Sequence, residues 1–205
     1  MGERRTRFDR LARDWDLKPE RVASAKNLSQ KLRQVLDIQG MDVLDYGAGT
    51  GLVAFDLCEE ARKVIAMDNS KKMLQEIERK SAQADIDNVH TRYHDINNEA
   101  LPAEICDLFI SSMTMHHIED TQAFLTKAKA SLREGGYLAI NDLESEDGTF
   151  HSMGNDDVAH FGFDKEDIRQ VLESLGMKVD FLETIEVVEK QQDYPIFLVV
   201  AQRVD

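Results

Sequence analysis

Cysteine is scarce: only Cys58 and Cys106 occur in 205 residues. They stand far apart, in neither a metal-ligand nor a redox spacing, and each sits in an apolar stretch. Both therefore read as small buried side chains. No CxxC pair or carboxylate cluster points to a metal. Long apolar runs are lacking as well. The longest, Ile196 to Ala201, falls far short of the roughly 20 residues that cross a bilayer. No apolar core follows the arginines of MGERRTRFDR, so no secretory signal is expected. Basic residues are few, 25 against 39 acidic, and a net charge of −14 disfavours binding to nucleic acid through its phosphates. No internal repeat, low-complexity tract or proline-rich linker breaks the chain. What is present, 42% hydrophobic and 31% charged residues, is the make-up of an ordinary globular chain. The expectation is one domain, residues 1–205, cytoplasmic, with no stable membrane insertion.

The charge is uneven. Residues 1–33 hold ten Lys and Arg against five Asp and Glu, about +5, which leaves about −19 for the rest. Such a basic amphipathic start is either a solvated helix face or a surface that meets an anionic substrate or a membrane.

Apolar spacing then alternates between helix and strand. Val22, Ala25, Leu28, Leu32, Val35 and Leu36 follow Pro19 at helical spacing. A strand is expected over Asp42–Tyr46, a helix over about Gly51–Glu60, and a strand over Lys63–Met67. Ser70 caps a helix running to about Gln83. Further strands fall at Val89–His94 and Cys106–Ser111, the latter apolar on both faces as a central parallel strand is. A helix from about Thr121 to Leu132 ends at a Gly135-Gly136 stop, ahead of a strand at Tyr137–Leu143. Another helix spans Lys165–Leu175. Two closing strands, Val179–Glu189 and Ile196–Gln202, flank a polar turn. This predicts an α/β fold with a mostly parallel sheet and a C-terminal antiparallel hairpin. Ligands of such sheets bind beyond the carboxyl ends of the strands.

The turn after the first strand, VLDYGAGTGLVAF, carries Gly47, Gly49 and Gly51. A dinucleotide fingerprint needs its third glycine one position later, where Leu52 stands. Asp45, two residues before Gly47, would repel a pyrophosphate but welcome an ammonium group. Its alternative is a local hydrogen bond to the turn. Asp68 closes the second strand about twenty residues on, where α/β nucleotide folds place an acceptor for two ribose hydroxyls. Asp95, in YHDIN after the third strand, could accept a bond from an adenine amine.

Together these residues resemble the class I methyltransferases that depend on S-adenosylmethionine, over nearly the whole chain. DYGAGTG resembles that family's first motif. Asp68 in MDNSKKML and Asp95 in HDI match its ribose and adenine positions. CDLFISSMTMHHIED resembles the fourth-strand motif and LREGGYLAINDL the fifth strand with its preceding turn. The resemblance implies a seven-stranded Rossmann-like sheet with helices on both faces and the last strand antiparallel. It also implies a cofactor pocket made by Asp45, Gly47, Ala48, Gly49, Thr50 and Gly51. Asp68, Asn69 and Met73 would join from the second strand and the helix after it, Asp95 and Ile96 from the third, and Ser111 and Met113 from the fourth. HFGFDKEDIRQVLESLGM and FDRLARDWD resemble the small-molecule branch related to quinone-biosynthesis methyltransferases. Residues 1–38 would then form an N-terminal helical lid.

The fourth strand ends in Ser111, Ser112, Met113 and Thr114, not the acid or asparagine, two prolines and aromatic of the DNA amino-methylating enzymes of this fold. The acceptor implied is a small molecule, not nucleic acid, on a monomer or homodimer. The sulfonium methyl is already activated, so transfer is an in-line displacement that needs alignment and exclusion of water. A base helps where the acceptor must lose a proton. Candidates are His116 and His117, with His151 and His160 as alternatives, all beyond strand ends; each could equally be a loop or packing residue. Adjacent residues leaving a strand diverge, so only one of His116 and His117 is expected to reach the acceptor. His90 and His94 alternate on the third strand and read as structural. Phe8 and Trp15 either close over the donor or pack on the sheet. Three other activities remain open: donor binding without catalysis by a regulatory or partner subunit, protein methylation, and dinucleotide-dependent oxidoreduction, the last opposed by Asp45 and Leu52.

Overall fold

The computed structural model describes residues 2–96, 99–151 and 154–204. Their contacts group into two compact units, residues 1–100 and 101–205. Seven strands form a sheet of order β3-β2-β1-β4-β5-β7-β6.

The first unit opens with α1 (Gly2–Leu11), a 3-10 segment (Ala12–Leu17) and α2 (Pro19–Val35). Pro19 opens α2, where its missing N–H costs no hydrogen bond. Then follow β1 (Asp42–Tyr46), α3 (Leu52–Leu57), β2 (Lys63–Asp68), α4 (Lys71–Ala84) and β3 (Val89–Tyr93). The Ser70 hydroxyl caps α4 by accepting from the Met73 N–H at 3.2 Å. β1 pairs with β2 and β2 with β3, all parallel. Each residue of β1 is buried, whereas β3 at the sheet edge alternates.

The second unit contains β4 (Cys106–Ser112), a 3-10 turn (Met115–His117), α5 (Thr121–Ser131), β5 (Leu132–Leu143), α6 (Lys165–Ser174), β6 (Met177–Glu189) and β7 (Asp193–Arg203). β4 and β5 are parallel; β7 is antiparallel to both β5 and β6. The apolar run Ile196–Ala201 is the buried centre of β7. Asp120 and Asp164 cap α5 and α6 by accepting backbone N–H bonds. Cys58 and Cys106 are buried and are not joined in a disulfide.

Element boundaries depart from the sequence pattern in three places. α3 ends at Leu57, one turn before the expected Glu60. β5 begins at Leu132, so Gly135-Gly136 lie inside the strand and do not stop a helix. Cys106 faces Leu132 and Leu108 faces Tyr137, so residues 133–136 bulge out opposite Asp107. A Cβ on Gly136 would lie 2.9 Å from the carbonyl oxygens of Arg133 and Asp107, which is why glycine is needed there. β7 also starts earlier than expected, at Asp193, and takes in Pro195 near its end. No helix among the described residues is long and apolar enough to cross a membrane.

Candidate functional site

Parallel pairing of β1, β2 and β3 brings their carboxyl ends together. Tyr46 stands opposite Met67, and Asp68 opposite Tyr93. The glycine turn leaves β1 at that edge, its three glycines at φ between +55° and +82°. Few residues with a Cβ adopt that region. The Gly47 and Ala48 N–H groups donate to the Met67 carbonyl at 2.8 and 3.0 Å, which ties the turn to the end of β2. A Cβ on Gly51 would meet Ile77 Cγ1 at 3.0 Å and Phe55 Cε2 at 3.1 Å.

Asp45 is 2% exposed, and its Oδ2 is buried with no hydrogen-bond partner among the described residues. Burial, and then the nearby Asp68 charge, push its carboxyl up to about 7. Asp68 is tied into the same edge. Its Oδ2 accepts the Gly49 N–H at 2.8 Å and its Oδ1 the Ser70 N–H at 2.7 Å. Burial pushes Asp68 up to about 6 against the pull of these donors. A carboxylate has about four acceptor positions, so room for ribose hydroxyls persists. Asp95 and Ile96 are buried just beyond β3, with the Ile96 N–H donating to the Tyr46 hydroxyl at 3.2 Å. His94, expected to be structural, is so: it accepts from the Tyr46 hydroxyl (3.4 Å) and donates to the Ala100 carbonyl (3.3 Å). Met73 is 1% exposed, on the core side of α4.

The N-terminal segment reaches this edge. The Thr50 hydroxyl donates to Asp16 Oδ1 at 2.5 Å, and Asp16 Oδ2 pairs with Lys80 at 2.8 Å. The Ser70 hydroxyl donates to Asp9 at 2.5 Å. Trp15 Nε1 stands 3.9 Å from where a Gly49 Cβ would project. Phe8 packs on Trp15 at 5.8 Å, and the Arg21 guanidinium stacks over its ring at 3.5 Å. Asp9 and Asp16 escaped the sequence reading, because nothing local separates them from the other acids of a charged segment.

The second unit holds the remaining candidates. Ser111 is buried in β4, its hydroxyl without a hydrogen-bond partner among the described residues. Met113 follows at φ 50°, a left-handed conformation costly for a side chain of this kind. His116 and His117 sit on the 3-10 turn, and their ring centroids are 4.1 Å apart. The expected divergence does not occur, because a tight turn, unlike a continuing strand, keeps consecutive side chains close. His151 completes the group, 5.1 Å from His116 and 5.9 Å from His117. His160 is separate: its Nε2 donates to the Ile118 and Glu119 carbonyls at 2.9 and 3.2 Å. Asp142, near the end of β5, is the member the sequence reading passed over; its Oδ1 lies 2.7 Å from His116 Nδ1. Among the described residues, no group of three or more His, Cys, Asp or Glu side chains is arranged to hold a metal.

A methyltransferase-domain family model matches residues 37–198. The chain belongs to that family, and its seven-stranded sheet makes it a class I methyltransferase by fold. The cofactor of this class is S-adenosylmethionine, and the structure fits it: a buried carboxylate oxygen without a partner beside a left-handed glycine turn suits an ammonium-bearing nucleoside. The chain is similar to an uncharacterized methyltransferase of Schizosaccharomyces pombe, 28% identical over 131 residues, 60% of this chain and 46% of that protein. It is also similar to a ubiquinone biosynthesis O-methyltransferase of Coxiella burnetii, 25% identical over 146 residues, 69% of this chain and 62% of the relative. Among solved structures it resembles an S-adenosylmethionine-dependent methyltransferase of Aquifex aeolicus, with TM-score 0.66, 24% identity, and coverage of 91% and 99% of the two chains. The chain spans about half the length of the first curated relatives it matches.

Proposed function

We propose that this chain transfers the methyl group of S-adenosylmethionine to a small-molecule acceptor by in-line displacement, in the cytoplasm. The observation that carries the reading is Asp45. A buried acid with a bare oxygen beside a glycine turn suits a cationic ligand and opposes a dinucleotide pyrophosphate. In this reading the cofactor supplies an activated methyl group. Asp45 takes the ammonium, Gly47 to Gly51 give close backbone approach, and Asp68 takes the ribose hydroxyls. Asp95 and Ile96 hold the adenine. The N-terminal segment acts as a lid, supported by the hydrogen bonds of Asp16 to Thr50 and Asp9 to Ser70, which tie it to the residues that frame the donor. The small-molecule acceptor is supported by the net charge of −14 and by similarity to a quinone-pathway O-methyltransferase.

Calorimetry tests this directly. S-adenosylmethionine and its demethylated product should bind, while nicotinamide and flavin dinucleotides give no heat. Asp68→Ala should weaken donor binding at least about tenfold, since each charge-assisted bond contributes roughly 1.5–3 kcal/mol. Dinucleotide binding without donor binding would sink the reading.

A further inference from the structure

The second unit gathers three imidazoles that the donor reading leaves unused. His116 and His117, on the turn after β4, have ring centroids 4.1 Å apart, and His151 stands 5.1 and 5.9 Å from them. Residues 155–160, irregular chain ahead of α6, are pinned across this turn. The N–H groups of Ala159 and His160 donate to the His116 carbonyl at 2.9 and 3.0 Å. His160 Nε2 donates to the carbonyls of Ile118 and Glu119 at 2.9 and 3.2 Å. His117 Nδ1 donates to the Asp157 carbonyl at 2.5 Å. Beside these bonds, His116 and Asp142 are each 1% exposed.

The ionisable groups that face His117 are His116 from its own turn, Asp142 from β5, and His151, Asp157 and His160 from the chain before α6. They treat the two adjacent histidines unequally. Asp142 Oδ1 lies 2.7 Å from His116 Nδ1, so a proton on His116 meets a carboxylate. His117 Nδ1 meets a neutral carbonyl instead. A charge on His117 would be partly buried and set against the His116 ring, a costly place for an ion.

We propose that residues 155–160 are an acid-releasable cover over the turn after β4, closed while His117 is neutral and opened when His117 takes up a proton. The inference is independent of the donor reading above. Burial, and then the neighbouring His116, lower His117 to about 4; the bond to the Asp157 carbonyl and the charges of Asp157 and Asp142 pull the other way and are outweighed. The Nδ1 bond itself survives protonation, so what fails is burial of the charge. Once the cover opens, the imidazole is hydrated and returns to its ordinary value of about 6.5. The open form therefore binds the proton more tightly. The closed form keeps its full advantage above about 6.5 and loses it as pH falls from there toward 4. Opening should be about thirtyfold more favourable at pH 5 than at pH 8, because each pH unit inside that window is nearly tenfold. Asp142 adds nothing to this change. Burial raises it, but His116 and the N–H groups of Leu143 and His116 outweigh burial and hold its carboxyl below the ordinary range, still ionised at pH 5. His160 is not the sensor, because its Nε2 donates in either protonation state.

Hydrogen exchange of the full chain between pH 8 and pH 5 tests the cover. Protection of the Ala159 and His160 amides, corrected for intrinsic exchange, should fall about thirtyfold. It should not respond to low urea, as befits local opening, and should lie well below that of amides at the centre of β7. His117→Asn keeps a side-chain N–H for the Asp157 carbonyl but cannot take up a charge. Its protection at pH 8 should stay within about fivefold of the native chain, with the pH dependence gone. Nitrogen NMR of histidine-labelled native chain decides if that variant does not fold: His117 should remain largely neutral at pH 5. Protection that is constant from pH 8 to pH 5 overturns the inference. So does a urea response equal to that of β7, a pH dependence that survives in His117→Asn, or a His117 already charged at pH 6 in the native chain.

Discussion

At the residue scale, the acids at the β1 and β2 ends are the most informative groups. Asp45 titrates near 7 when folded, against about 3.9 in an unfolded chain. The folded state therefore binds the proton more tightly, and without ligand, stability should fall as pH rises from about 4 through about 7. Asp68, raised to about 6, adds to the same slope over the lower part of that window. A bound ammonium reverses the preference at Asp45 by favouring its charged form. Donor affinity should accordingly rise with pH through about 7 and level off above it. Binding at pH 6 should also release protons, seen as different heats in two buffers of unlike ionisation enthalpy. Asp45→Asn should flatten the stability slope and abolish the proton release. A donor affinity that is constant from pH 5.5 to 8.5 would show that Asp45 does not meet the ammonium. The placing of Asp45 and Asp68 beside the glycine turn was legible in the sequence because their spacing from the glycines follows from strand and turn lengths. Asp142 was not, since its partner His116 lies 26 residues away and only parallel pairing of β4 with β5 brings them together.

At the scale of elements, apolar period and caps predicted most of the sheet and helices, and the misreadings have a common origin. Gly135 and Gly136 look like a helix stop, yet Gly136 is required by two carbonyl oxygens, one of them on the neighbouring strand. Pro195 looks like a turn, yet it lies inside β7, where its carbonyl accepts the Glu144 N–H at 2.9 Å. Such demands come from the neighbouring strand and leave no local signal. The N-terminal segment allows a direct test of closure, because Trp15 is the only tryptophan of the chain and stands beside Gly49. Donor binding should change its fluorescence. Asp16→Ala removes the bond to Thr50 and the pairing with Lys80, both partly exposed, so stability should change by no more than about 1 kcal/mol. Donor dissociation followed by Trp15 fluorescence should quicken about tenfold. A donor that leaves Trp15 fluorescence unaltered would count against the lid.

At the scale of the whole molecule, charge and connectivity act together. Outside the first 33 residues the chain carries about −19, a balance that disfavours binding through phosphates. The residues proposed to frame the donor, from Asp9 to Ile96, belong to the first unit, while the His116–Asp142 pair belongs to the second. Saturating donor stabilises the folded state by mass action, by about 2.7 kcal/mol at a hundred times Kd. For a chain of this size that corresponds to a rise in Tm of roughly 5–11 °C. Hydrogen exchange should locate the effect. Donor alone should slow exchange at residues 9–16, 45–51, 68–73 and 95–96. Protection by donor confined to residues 114–204, with none at the glycine turn, would mean that the donor site had been placed in the wrong unit.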